Sequence, residues 1–523
     1  MAVCLFSTAS VYATTYYVDS VLGSDSSAGT SSSLPWQTLT KVNATTFSPG
    51  DSILFRAGDT WAGQLHPLGS GTAALPITIS SYSTGAKPVI NGASLSGGGA
   101  VYLYNQQNWI IEGLEVVSNS GVNNFGTLST PGVNRSGIFV DNEGAGILNG
   151  ITIQNNYVHN VNGCFNCNGY DAHVNGGIVV VADGSTDLGL LGLINDSINN
   201  VYIGHNTVSN VGRTGITFYD NSTGFLTYLN TANLSTGITV EYNSVSTIDS
   251  DGIIVSGALG GMMDHNVVAN AGQKTIVGST EPSAAGLWPT RSENTTVEYN
   301  EVYGTLTQDT DGEGYDVDGA CVNTIVQYNY SHDNQGGFIV MEDAGTSNLI
   351  VRYNLSINDS YGGLKGVFDF SDEGVVPNTS IYNNTVYIAE GLPSQPIYCD
   401  SCGSSPSGDY SFENNIIVNF GTGGYLVPTP SGGGVISHNL FYGNHPATEP
   451  ADSYKITSDP QFVSASSTAP VGIGSVAGYQ VQSSSPAVGS GIVITSNGGQ
   501  DFFGRPVSAT AAPTRGFFES QNF

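Results

Sequence analysis

One asparagine, set on a short strand and preceded by an aromatic, a histidine or a second asparagine, recurs over more than half of this 523-residue chain. The series runs Asn155-Asn156, His205-Asn206, Tyr242-Asn243, His265-Asn266, Tyr299-Asn300, Tyr328-Asn329, Tyr353-Asn354, Asn383-Asn384, Asn414-Asn415 and His438-Asn439. Its tightest intervals are 23 to 25 residues, and the longer ones leave room for side loops. A period in this range, carried by short β-forming segments, marks a solenoid in which each coil buries apolar side chains against the next. Asparagines aligned at one bend can pass hydrogen bonds up such a stack, as in other asparagine ladders. Leucine-rich repeats share the period, but their leucine pattern is missing here.

The chain is therefore expected to be all-β: a right-handed parallel β-helix over 14–523, with an N-terminal cap of about 14–65 and an end segment of about 450–523. Residues 35–42 read as a short amphipathic helix that covers the first turn, where a stacked sheet would otherwise leave apolar surface and unpaired strand edges. The 69 glycines, 27 tyrosines and 10% charged residues suit a stacked β protein with polar turns. Lysine and arginine total 12 against 42 aspartates and glutamates, for a net charge of −30. Such a chain does not bind nucleic acid by counterion release, nor an anionic membrane surface. No apolar run approaches the ~18 residues of a membrane span.

Beyond most ladder strands a second strand opens on glycine, at Gly137, Gly177, Gly215, Gly252, Gly286, Gly314, Gly337 and Gly366. Aligned on that glycine, the first and third following residues are mostly apolar and expected inside; the second and fourth are expected outside. The outward pairs are then Thr217 and Tyr219, Trp288 and Thr290, Asp316 and Asp318, Ile339 and Met341, and Phe368 and Phe370. Residues 309–318 also hold five carboxylates: Asp309, Asp311, Glu313, Asp316 and Asp318. Side chains two apart on a strand lie about 6.5–7 Å apart. That is within the roughly 6.5–9.5 Å that inverting glycoside hydrolysis needs to seat a water between two carboxyl groups. Aromatic side chains flanking the pair along one sheet face suit a chain of sugars. The plain alternative is a calcium-binding or turn cluster, since Asp-Gly runs are common in loops.

Residues 1–13 read as the tail of a secretory signal, with an apolar stretch at 2–6 and the small-residue pattern Val11-Tyr12-Ala13 of a cleavage site. A secreted protein, extracellular or periplasmic, is expected. Of six cysteines, Cys4 would leave with the signal, and Cys164/Cys167 and Cys399/Cys402 form two Cys-x-x-Cys pairs. One shared zinc site would need the pairs to meet. Coils stacked about 4.8 Å apart separate them by roughly 35–40 Å. Two local disulfides are expected instead, with Cys321 a buried thiol.

Tyr16-Tyr-Val-Asp19, Pro49-Gly-Asp-Ser-Ile-Leu-Phe55 and Gly58-Asp-Thr-Trp61 stand near the start, and Asp459-Pro-Gln-Phe462, Ser485-Pro-Ala-Val488 and Asp501-Phe-Phe-Gly-Arg-Pro506 near the end. With these motifs, and over nearly its whole length, the chain resembles the superfamily of secreted right-handed parallel β-helix proteins with the pectin-lyase-like fold. That superfamily includes polysaccharide lyases, glycoside hydrolases, uronan epimerases and phage tailspikes, so the resemblance implies the fold and leaves the chemistry to the site. Asp309-Thr-Asp-Gly312 resembles the Asn-Thr-Asp-Gly of polygalacturonases. The Gly-His-Gly and Arg-Ile-Lys motifs of that family are missing, which argues against galacturonan hydrolysis.

Three functions fit these residues. The leading one is a glycoside hydrolase that degrades a polysaccharide, with Asp316 and Asp318 as acid and base. Asp311, Glu313 or Glu342 would raise the acid's pKa by like-charge proximity, and Trp288, Arg291, Tyr219, Asp343, Phe368 and Lys274 would line the substrate. The second is a polysaccharide lyase or uronan epimerase, as the resemblance implies. Lys274 or Arg291 would be its base, His173 and His332 further candidates, and the carboxylates would hold Ca²⁺. The third is a non-catalytic glycan-binding surface protein. The scarcity of lysine and arginine favours the first. No metal ligands are assigned, Ca²⁺ enters with the second reading and with the plain alternative of a calcium-binding cluster, and a monomer is expected.

Overall fold

The computed structural model describes residues 13–122, 124, 126, 131–167, 173–182, 196–220, 234–274, 284–307, 311–342, 345–371, 375–399 and 407–521. Their strands form three long sheets of 14, 13 and 10 members, all paired parallel between successive coils. The inward alternation expected of stacked strands is plain at Ser52–Arg56, where Ile53 and Phe55 are buried between half-exposed neighbours. One apolar cluster runs from Val18 to Phe441 through the centre of the coils. The architecture is a parallel β-helix.

The asparagines stand at one bend, between the 14- and 13-stranded sheets. Asn243 shows the repeating unit: its backbone N–H and its Nδ2 both donate to Asn266 Oδ1, at 3.1 and 3.0 Å, and Nδ2 also donates to the Ile203 carbonyl at 2.9 Å. The same bonds join Asn156, Asn206, Asn243, Asn266, Asn300, Asn329, Asn354, Asn384, Asn415 and Asn439. They satisfy polar groups that would otherwise be buried without partners. The residue before each ladder asparagine takes a positive φ to turn the corner, from 51° at Tyr353 to 57° at His205. That conformation is costly for a side chain with a Cβ. Stacking offsets it, because His205, Tyr242, His265, Tyr299 and Tyr328 lie ring on ring at 4.7 to 5.0 Å.

The early helix is Leu39–Asn43, capped by Thr38, whose hydroxyl accepts the Lys41 N–H at 3.2 Å. It starts later than the 35–42 expected, because Trp36 remains extended and bridges to Val18. Leu39 and Val42 bury their side chains in the central cluster. At the other end, residues beyond 450 run back along the outside of the coils. Tyr330 donates to the Pro470 carbonyl at 2.8 Å, and Glu301 accepts the Gly472 and Ile473 N–H groups at 2.6 and 2.9 Å. Cys164 and Cys167 form a disulfide, Cys321 is free and buried, and Cys399 is disulfide-bonded. Cys402, its expected partner, lies outside the described residues, as do Cys4 and residues 1–12.

The ten-stranded sheet contains every glycine-opened strand, from Arg135–Asn142 through Gly366–Ser371, with Gly98–Tyr104 and Gln395–Cys399 at its edges. Register corrects the outward assignment at two of them. Tyr315 pairs with Ile339 and Val317 with Met341, and these continue to Phe368 and Phe370. Ile339, Met341, Phe368 and Phe370 therefore face the core. Val340 and Asp369 occupy the outward row instead. The reason lies in the glycine row. A Cβ at Gly286 would sit 2.2 Å from Val302 Cγ1, so glycine is needed there for close packing. At the next two coils beyond Gly314, Phe338 and Val367 fill that row within the core, and the motif glycines fall one place earlier.

Candidate active site

The strand Glu313–Val317 places the acidic residues. Tyr315 and Val317 are buried in the core, and the Tyr315 hydroxyl donates to the Asn300 and Tyr330 carbonyls at 2.9 and 3.1 Å. With the alternate residues anchored inside, Asp316 projects from the outer face. Leu287 pairs with Tyr315, which sets Trp288 beside Asp316 on one side; Val340 pairs with it on the other. Both flanking side chains are themselves buried. Asp316 is only 9% exposed, and its Oδ1 has no hydrogen-bond partner among the described residues. Burial pushes this carboxyl well above the ordinary carboxylate range, and the charges of Glu342, Asp318, Glu313 and Asp311 push it the same way.

Glu313 has no exposed surface, and neither carboxyl oxygen has a hydrogen-bond partner among the described residues. Burial, then Asp311, raises its pKa well above the usual value, while Lys365 opposes them. A fully buried carboxyl does not touch a substrate, which leaves Glu313 only the electrostatic part expected of it, behind Asp316. Asp311 is half-buried, with Lys365 Nζ 3.9 Å from its carboxylate. Asp369 accepts the Gly366 N–H at 2.6 Å and stands two coils beyond Asp316 on the same outward row. Sequence reasoning missed both Lys365 and Asp369. The register slip hid the aspartate, and Lys365 belongs to no motif, although a chain with only 12 basic residues makes any lysine notable.

The other expected site residues are scattered. Asp318 follows the strand half-buried, its N–H donating to the Pro289 carbonyl at 3.2 Å, and Glu342 ends the next strand half-buried. Phe368 is a core residue and cannot be a sugar platform. Trp288 and Tyr219 do face outward, but they are buried in an outer-face apolar cluster with Phe139, Val179 and Ile254. The Trp288 indole N–H donates to Asp251 at 3.1 Å, and Asp251 is ion-paired with the buried Arg213. The expected open aromatic track is thus closed over on this side. Arg291 lies over the Tyr219 ring at 4.6 Å and donates to Ser256. Lys274 is paired with Asp249 at 2.6 Å. His173 packs edge-on against Trp288, and His332 is buried between Glu301 and Asp333 near the C-terminal segment. Asp309 and Asp343 lie outside the described residues. Among the described residues, no three His, Cys, Asp or Glu side chains are grouped to hold a metal ion, and no helix is long and apolar enough to cross a membrane.

A family model described as the right handed beta helix region matches residues 190–386. The chain is a right-handed parallel β-helix protein. This β-helix is 30% identical over 519 residues to the lacto-N-biosidase of Bifidobacterium longum subsp. longum, an alignment covering 83% of this chain and 31% of that protein. It thus spans about a third of that relative's length. Among solved structures, the GH136 lacto-N-biosidase from Eubacterium ramulus matches with a TM-score of 0.59 at 23% identity, over 80% of this β-helix and 67% of that chain. XylC, solved in complex with xylose, matches with a TM-score of 0.53 at 12% identity, over 97% and 98% of the two chains. At these identities the two structures speak for the fold.

Proposed function

We propose that this β-helix is a glycoside hydrolase, and that lacto-N-biosides are the first substrate class to test. The observation that carries the reading is Asp316: a carboxyl on the outer sheet face, walled by Trp288 and Val340, raised in pKa by other carboxylates and lacking, among the described residues, a partner for one oxygen. Such an environment favours the protonated form at neutral pH, which is what a general acid requires. Asp316 gives its proton to the glycosidic oxygen as the bond to the anomeric carbon breaks. Asp318, two residues along the chain, takes a proton from the water that attacks that carbon. Glu342 keeps Asp316 protonated through its proximity. The similarity to a lacto-N-biosidase supports the substrate class. The Cys164–Cys167 disulfide supports an oxidising, extracytoplasmic location.

The lyase reading has less support. Lys274 is tied to Asp249, and Arg291 to Tyr219 and Ser256, so neither is poised beside Asp316. The test is to incubate the protein with an aryl lacto-N-bioside and a glycan panel, following reducing ends and the ultraviolet absorbance of unsaturated sugars together. New reducing ends without absorbance are expected. Absorbance rising in step with chain cleavage means elimination and ends the hydrolase reading.

A further inference from the structure

We propose that Lys365 is a positioning residue of this site: its ammonium group holds Asp311 as the ionised member of the acidic cluster, and so sets which carboxyls carry protons. The inference rests on the hydrolase reading and adds a residue to it.

Lys365 immediately precedes the strand Gly366–Ser371, and its side chain is only 9% exposed. Burying an ammonium group is costly unless a negative partner compensates. Among the described residues, Asp311 sets a carboxylate 3.9 Å from it, on the chain entering the acidic strand. Around this pair lie carboxyls from three successive coils. Glu313, Asp316 and Asp318 come from the acidic strand and its end, Glu342 from the next coil, and Asp369 from the coil of Lys365 itself. The preceding strand Leu287–Thr290 brings no titratable group, and Arg291 at its end is spent on Tyr219 and Ser256.

Glu313 is the second, independent sign that charge is partitioned here. It has no exposure and, among the described residues, no hydrogen-bond partner for either oxygen, so it is suited to be neutral. A cluster of neighbouring carboxyls cannot ionise together at short range. With one cation seated against Asp311, that carboxylate keeps its charge while Glu313 and Asp316 hold protons. Acid and base are thereby told apart by their surroundings, as such pairs require.

The test is Lys365→Met, with Lys365→Arg as the conservative control, assayed on the glycan that the parent cleaves. Thermal unfolding establishes that each variant is folded. Loss of the cation raises the pKa of every carboxyl in the cluster, so both limbs of the pH profile of kcat/KM should move to higher pH, by about one unit or more. At the parental optimum kcat should fall about tenfold or more, with KM little changed. Lys365→Arg should restore the parental limbs. A Lys365→Met profile superimposable on the parent's overturns the proposal. So does failure of both Lys365→Met and Lys365→Gln to fold, which would make the pair structural. A parent inactive on the whole panel, or active without Asp316, ends the hydrolase reading and this proposal with it. A parent that needs Asp316 but is indifferent to Lys365 ends this proposal alone.

Discussion

Asp316 and Val340 are paired across adjacent strands, in register, on the outer face of the ten-stranded sheet. A carboxyl is thereby set beside an isopropyl group where water or a donor would ordinarily stand. Asp316→Asn keeps the shape and removes the proton, so the variant should fold as the parent does. It should lose about 10²- to 10⁴-fold in kcat on any glycan the parent cleaves. Parental activity should also fall as pH rises through the raised pKa of Asp316, a limb that the variant's residual activity should lack. Steady-state rates across pH check both.

The fold was legible because the ladder asparagines are spaced by coil length, and a buried amide at a bend has few substitutes. The acidic strand was legible too, since Tyr315 and Val317 alternate cleanly with Asp316. One coil later the alternation disappears: Gly337-Phe-Ile-Val-Met341 is apolar throughout, because the sheet is buried on its outer face there as well. With no polar residue to mark the outside, the glycine was the only guide, and Phe338 had taken the glycine row. That one-residue slip exchanged Phe368 for Asp369, as a slip of register always exchanges faces. Lys365 is brought to the site by stacking rather than by sequence neighbours, so no local pattern announces it.

The ladder makes a stability prediction. Asn300 accepts two bonds from Asn266 and donates to Asn329 and to the Met263 carbonyl, all in the interior. Asn300→Ala leaves several buried groups unpaired and should cost on the order of 3 kcal/mol in urea unfolding. Asn323 belongs to a second stack, with Asn294 and Asn348, but on the surface. It sits at a φ of 57°, which glycine adopts freely. Asn323→Gly should change stability by no more than about 0.5 kcal/mol.

Stability should fall as pH rises through neutrality. Burial pushes the Asp359 carboxyl up to about 7, against the bonds it accepts from Ser356 and Asn334. Its folded pKa is above the unfolded value of about 3.9. The stabilisation is therefore full below pH ~4 and lost as pH rises through 7. His332 acts with the same sign: burial lowers its pKa, but Asp333 and Glu301 raise it further, for a net rise. Asp359→Asn keeps an acceptor for Asn334 and cannot ionise. The stability difference between parent and variant should shift toward the variant by on the order of 3 kcal/mol between pH 4 and pH 8, measured by urea unfolding at each pH.

Cys321 should be silent until the coils open. It is buried in the central cluster, and burial pushes its thiol up to about 12, so it has neither access nor thiolate character. A thiol reagent should leave the native protein unlabelled at Cys321 and label it on unfolding. Peptide mapping without reduction should recover Cys164 joined to Cys167.

The register of the outer face can be tested directly with two substitutions one coil apart. Phe368 packs edge-on against Phe338 and Phe412 in the core. Phe368→Ala should therefore cost about 3–5 kcal/mol of stability with KM unchanged; a rise in KM at full stability would return it to the substrate face. Val340→Thr replaces a methyl group beside Asp316 with a hydroxyl. That hydroxyl can donate to an aspartate oxygen that has no partner among the described residues, and a donor favours the charged form. The alkaline limb of the activity profile should then move to lower pH while the protein remains folded. The reverse shift, or none, would mean that Val340 does not set the surroundings of the acid.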